Sequence, residues 1–144
     1  VRRQSGAGCA HMNWLDRALV VAPLYFGLCL SEAEFNAELR RLKIKRKDWP
    51  RFIGSEHADA TTHFFNKADG KVCAIVTIGG TKGRVLAQVH AMLVHEAVHI
   101  WQAARDILNE RRPCSEFEAY SIQSISQALM LAYDDAVAPK RKSR

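Results

Sequence analysis

Apolar positions recur at helical spacing in three stretches of the chain and at strand spacing in two. Ser31 opens the first helical stretch, with Glu34 three residues on as the partner of a capping box. Phe35, Leu39 and Leu42 then share one face. This helix should fray over Lys43–Lys47 and stop before Trp49-Pro50, because the residue ahead of a proline is pushed out of the helical region. Residues 61–66 and 71–78 read as strands, and Asp69-Gly70 between them predicts a β-hairpin. In the second strand Val72, Ala74, Val76 and Ile78 alternate with Cys73, Ile75 and Thr77. Both sets are largely apolar, so both faces should be covered.

A long helix is expected from about Arg84 to Leu108, with Val89, Leu93, Trp101, Ala104 and Leu108 as apolar positions. Arg112-Pro113 interrupts it. Ser115 should open a last helix to about Tyr133, carrying Phe117, Ile122, Ile125, Leu129 and Met130. Nearer the start, Trp14–Ala22 reads as a short helix and Pro23–Leu30 as an extended segment in which Tyr25 and Phe26 favour strand. Residues 1–11 have no periodicity and read as a tag or disordered leader, with Met12 as the expected native start. The expected organisation is one α+β domain over residues 12–138 and a basic flexible tail over 139–144.

At 144 residues, with 48% hydrophobic and 25% charged positions, the composition is that of one ordinary globular domain. It excludes a mostly disordered or low-complexity chain. The most apolar run, Leu19–Leu30, is broken by Pro23 and Gly27 and is too short to span a bilayer. No signal-peptide pattern is evident, so a soluble, cytoplasmic protein is expected. The cysteines at 9, 29, 73 and 114 form no Cys-x-x-Cys pair and read as free thiols.

The formal charge of +6 is unevenly placed: Arg40–Arg51 alone holds seven basic residues and one acid. Such a segment could attract nucleic acid or another anionic partner by charge. No zinc-finger spacing or nucleic-acid signature accompanies it, so a solvated helix end is the more ordinary reading. Gly79-Gly80-Thr81-Lys82-Gly83 lacks the order of a phosphate-binding loop and reads as a strand-to-helix turn.

The chemistry concentrates in His95-Glu96-Ala97-Val98-His99, a His-Glu-x-x-His motif within the long helix. Positions i and i+4 lie on one helical face about 6 Å apart along the axis. Two imidazoles there can converge on one Zn²⁺. Glu96 stands beside the first of them, where it can reach a water and act as general base. A chance match is expected in about one of a hundred shuffled chains, so context matters, and an apolar helix supplies it. A pair of satisfied core histidines is the alternative.

A catalytic zinc usually takes three protein ligands. The metzincin spacing would need Gly and His where the chain has Gln102 and Arg105. Glu116 and Glu118 are the downstream carboxylates. Glu118 is preferred because it shares a face with Ile122, Ile125 and Leu129, whereas Glu116 shares one with Tyr120, Gln123 and Gln127. Glu118 could instead complete a capping box with Ser115.

His95-Glu96-x-x-His99 followed by a helical Glu118 resembles the zincin metallopeptidases of the gluzincin type. The resemblance covers about Thr61–Tyr133. The strings His-Glu-Ala-Val-His-Ile-Trp-Gln and Glu-Ala-Tyr-Ser-Ile-Gln are similar to small metallopeptidases encoded by phages and prophages. The resemblance implies a minimal zincin core and a Zn²⁺ cofactor held by His95, His99 and Glu118. It also implies Glu96 as catalytic base and a peptide substrate paired to the edge of the strand before the active-site helix. It supplies no proton donor for the oxyanion. Tyr120, Tyr133, His57, His63 and His90 are candidates, although His90 lies off the site face. The chain is also shorter than most gluzincin domains, and Ile122 stands where a supporting acid would follow Glu118. A non-catalytic metal-stabilised binding or structural protein is therefore the competing expectation, with the basic segment offered to an acidic partner.

Overall fold

The computed structural model describes residues 13–15, 23–67 and 69–139. The strands are β1 (Asn13–Leu15), β2 (Leu24–Cys29), β3 (Ala60–Asn66) and β4 (Val72–Ile78). The helices are α1 (Glu32–Arg41), α2 (Leu86–Ile107) and α3 (Ser115–Val137). The strands form one sheet in the order β1-β2-β4-β3. β1 and β2 run antiparallel, β2 and β4 parallel, and β3 and β4 antiparallel. Helices and a mixed sheet in one unit make the fold α+β, as expected.

The layers follow from the alternation along the central strands. Leu24, Phe26 and Leu28 of β2 and Ala74, Val76 and Ile78 of β4 pack beneath Leu93, Ala97 and Ile100 of α2 and Ile125 and Leu129 of α3. Cys29 and Ile75 turn to the other face, against Phe35 and Leu39 of α1 and the partly buried Ile44, Trp49 and Phe52. β4 is therefore covered on both sides, and its residues from Cys73 to Ile78 are all buried. α2 and α3 form one outer layer, α1 and the segment after it the other, with the sheet between.

Local chemistry sets the ends of α1. Ser31 Oγ accepts from the Glu34 N–H at 3.3 Å, while the Glu34 carboxylate takes the N–H of Leu30, not that of Ser31. The capping pair thus acts one residue wider than the expected box. The helix stops at Arg41, and Lys43 takes a left-handed backbone with φ of 58°. A short 3-10 turn, Arg46–Asp48, leads to an extended Trp49 ahead of Pro50. In the β3–β4 hairpin Gly70 supplies the positive φ of 77° that the turn requires.

Two expectations need correction. Trp14 lies in strand β1, not in a helix, because Asn13–Leu15 pairs with Phe26–Leu28 along the free edge of β2. The rest of that expected helix, 16–22, lies outside the described residues, as do the leader 1–11 and tail positions 140–144. The last helix runs on to Val137 and is capped by Cys114, whose Sγ accepts from the Phe117 N–H at 3.4 Å. Ser115 is already helical, so the capping-box role for Glu118 does not arise. No described helix is long and apolar enough to cross a membrane.

Candidate metal centre and cleft

α2 carries the site because its sequence is two-sided. Val89, Leu93, Ala97, Ile100, Trp101 and Ala104 are buried, and His95 and His99 lie on the face turned away from them. One helical turn apart, the two rings meet edge to face, with centroids 4.8 Å apart. Their Nε2 atoms are 3.1 Å apart. His99 Nδ1 lies 3.3 Å from Gln102 Oε1. The amide oxygen can only accept, so Nδ1–H of His99 donates to it and the bare lone pair sits on Nε2. Nε2–H of His95 then points at that lone pair. An outward Nε2 fixed by a second hydrogen bond at Nδ1 is the arrangement metal-binding histidines use.

Glu96 lies between the two histidines in sequence but points elsewhere. It is 4% exposed, and its Oε2 accepts from Thr62 Oγ1 of β3 at 2.6 Å. The hydroxyl holds one carboxylate oxygen. No second partner for this carboxylate occurs among the described residues, so Oε1 is left for other work. Beside it lies a cleft of about 370 Å³ lined by Ala58, Asp59, Ala60, Ala91, Met92, His95 and Glu96. One wall is α2 and the other is the start of β3, an edge strand with its outer side unpaired among the described residues. Arg84 ties down the rim. Its Nη2 donates to Asp59 Oδ2 at 2.6 Å and its Nε to Gly80 O at 2.9 Å.

Does this cluster suit Zn²⁺? Two nitrogens on a tetrahedral zinc at about 2.0–2.1 Å each stand roughly 3.3 Å apart, close to the observed His95–His99 separation. The pair fits two coordination positions. Glu118 stands apart from it. Its Oε1 accepts from Trp101 Nε1 at 2.8 Å. Trp101 lies about 160° round the helix from His99. Among the described residues no three His, Cys, Asp or Glu side chains are grouped to hold a metal ion. Glu116 is exposed, and no side-chain partner for it occurs among the described residues.

The candidate proton donors are scattered. His63 is on the opposite face of the sheet, with its ring tilted against that of Phe35, centroids 4.7 Å apart. Its Nε2–H donates to Phe52 O at 3.1 Å, with Thr77 Oγ1 equally near. Burial holds its pKa below the usual histidine value, and the Phe52 carbonyl partly offsets that. His90 pairs with Asp134 of α3 at 2.9 Å. Tyr133 is buried in the core, and Tyr120 is exposed on α3. His57 is exposed in the turn before β3.

The sequence reading missed Thr62, Gln102 and the Asp59–Arg84 pair. Gln102 was within reach of a spacing argument, since i+3 on a helix neighbours His99. Thr62 was not, since its partner is 34 residues away and only helix-on-sheet packing joins them. In comparisons with protein-family models, curated proteins and solved structures, nothing matches this chain.

Proposed function

We propose that the chain is a zinc-dependent metallopeptidase of the His-Glu-x-x-His type. The observation that carries this reading is the pairing of two features at one cleft. His95 and His99 converge at Nε2 on an open helical face, and Glu96 shares a cleft with His95, with one oxygen held by Thr62 and the other without a partner among the described residues. His95 and His99 would hold the ion, and Glu118, now bonded to Trp101 and apart from the pair, would have to leave that bond to complete the set. A bound Zn²⁺ supplies Lewis-acid chemistry, polarising a carbonyl and lowering the pKa of a water toward 7.

The chain's own groups account for the rest. Gln102 fixes the His99 ring so that its Nε2 lone pair faces His95, where the ion would sit between them. Thr62 fixes Glu96, so that its free oxygen can take a proton from the attacking water and return it to the departing amine. β4, the strand directly before α2, is paired on both sides, so it cannot take the peptide expected there. The edge of β3 beside it would instead offer backbone N–H and C=O groups to an extended peptide and bring a scissile carbonyl to the cleft.

The alternative, a metal-stabilised binding protein without turnover, draws its support from the Trp101–Glu118 hydrogen bond, which engages the expected third ligand. Glu96→Gln separates the two. It should leave zinc content unchanged and lower cleavage of an unstructured peptide library by about 10² or more. Loss of zinc from Glu96→Gln would make Glu96 a ligand and overturn the assignment. No cleavage by the wild-type chain loaded with zinc would leave the binding protein as the reading.

A further inference from the structure

A second concavity lies farther along the same edge strand. It has a volume of about 600 Å³, and one wall is residues 63–66 of β3, four in succession. Consecutive residues of a strand alternate their side chains between faces. A groove that touches all four therefore runs along the strand's edge and not over one face. The opposite wall is the segment after α1: Lys43, Ile44, Lys45, Asp48 and Pro50. Lys43 and Lys45 are exposed and make no ion pair among the described residues. Lys43 takes a left-handed backbone just after the end of α1.

We propose that this groove binds the acidic flank of an extended peptide paired to β3, with Lys43 and Lys45 as the residues that select it. The inference deepens the peptidase reading and rests on it for the peptide's fate, though not for its binding. The two concavities open along one edge of the sheet, the Glu96 cleft on the α2 side and the lysine groove on the α1 side. The cleft at Glu96 touches the start of β3 and the lysine groove its end. Thr62, which holds Glu96, and Asn66 are four residues apart, or about 14 Å along a strand. A peptide with one bond at Glu96 would place residues some four positions away beside the lysines.

A single-stranded nucleic acid is the competing occupant, and the groove suits it less. Asp48 in the lining offsets part of the lysine charge toward phosphate and carboxylate alike. Trp49, the neighbouring indole, is not free for base stacking. Arg46 lies 4.2 Å and Arg40 5.5 Å from its ring centroid, and its Nε1–H is given to Ile44 O. The unpaired edge of β3 offers a ladder of amide groups that only a polypeptide matches in period.

The test measures binding to the Glu96→Gln chain, so that turnover does not interfere. The probe is a fluorescein-labelled 14-residue peptide with six alternating Thr and Val between two blocks of four Glu. Its control replaces every Glu by Gln. The acidic probe should bind about tenfold tighter or more at low ionic strength, and the gap should narrow at 0.5 M salt. Adding Lys43→Glu/Lys45→Glu should abolish the gap, and Lys45→Glu alone should reduce it. Arg111→Glu/Arg112→Glu makes the same charge change on the exposed α2–α3 loop and should leave the gap in place. Amide exchange over 60–66 should slow when the acidic probe binds.

Equal affinity for both probes overturns the proposal. So does a gap lost equally in the Arg111/Arg112 variant, or unchanged exchange over 60–66. An oligothymidylate that binds as tightly as the acidic probe, with the same dependence on Lys43 and Lys45, makes the groove a nucleic-acid site instead. Wild-type chain that binds the acidic probe but cleaves nothing across the peptide library, with zinc loaded, leaves the groove standing and removes the peptidase reading alone.

Discussion

Replacing Trp101 by phenylalanine should tighten zinc binding. Trp101 is 1% exposed, and its Nε1–H donates to Glu118 Oε1 at 2.8 Å. A hydrogen bond to a charged group is worth about 1.5–3 kcal/mol net. If Glu118 is the third ligand, it must give up this bond when the ion arrives, so the wild-type affinity is lowered by that amount. Phenylalanine keeps the buried six-membered ring but has no donor. The freed carboxylate should then raise zinc affinity by about tenfold or more, and adding Glu118→Gln should cancel the gain. The assay is competitive zinc titration against a chromophoric chelator, run beside a urea melt. The loss of part of a buried indole should cost stability, so the melt confirms that the variant is folded at the titration temperature. Unchanged or weaker zinc affinity in a folded Trp101→Phe chain would refute the reasoning, and with it Glu118 as a ligand held in reserve.

Thr62→Val keeps the shape of the side chain and removes the hydroxyl that holds Glu96. Cleavage should fall by about tenfold while zinc content, read by metal analysis, stays the same. His63 predicts an acid sensitivity. Its folded pKa is lowered, chiefly by burial, so the unfolded chain binds the proton more readily. Stability should be complete above the ordinary histidine pKa of about 6.5 and should decline as the pH falls below it. Urea midpoints at pH 7 and pH 5 should show this, and His63→Gln should flatten the difference. Burial raises the thiol pKa of both Cys29 and Cys73, so native protein at pH 8 should react with a thiol reagent at Cys114 and not at those two, as read by mass spectrometry.

Much of the fold was legible because its strongest signals are local. The hairpin, the double burial of β4 and the course of α2 each follow from period and turn residues within one stretch. Strand β1 was not legible, since three residues carry no period and its pairing with Phe26–Leu28 is a tertiary event. The facing argument for Glu118 had the right face of α3 and could not see its partner. Ile125 and Leu129 are buried, and Glu118 does point inward. Yet α3 packs on the Trp101 and Ala104 side of α2, and the histidines occupy the far side. Periodicity shows which residues of a helix are buried but not which neighbour buries them. The same limit hid Thr62, whose contact depends on where α2 crosses the sheet.

The parallel pairing of β2 with β4 has a consequence for how the chain folds. Leu24 lies opposite Val72, so this seam joins residues 48 positions apart, while the β3–β4 hairpin and the α2–α3 pair close over short loops. Distant pairings are slow because chain entropy is lost before any contact rewards it. The hairpin should form early, with one flank of Val72–Ile78 uncovered until β2 arrives. That flank is a bare, apolar strand without a charge, which is the kind of segment that recruits its copies from other chains. Refolding yield should therefore fall as protein concentration rises, even where the finished protein is stable.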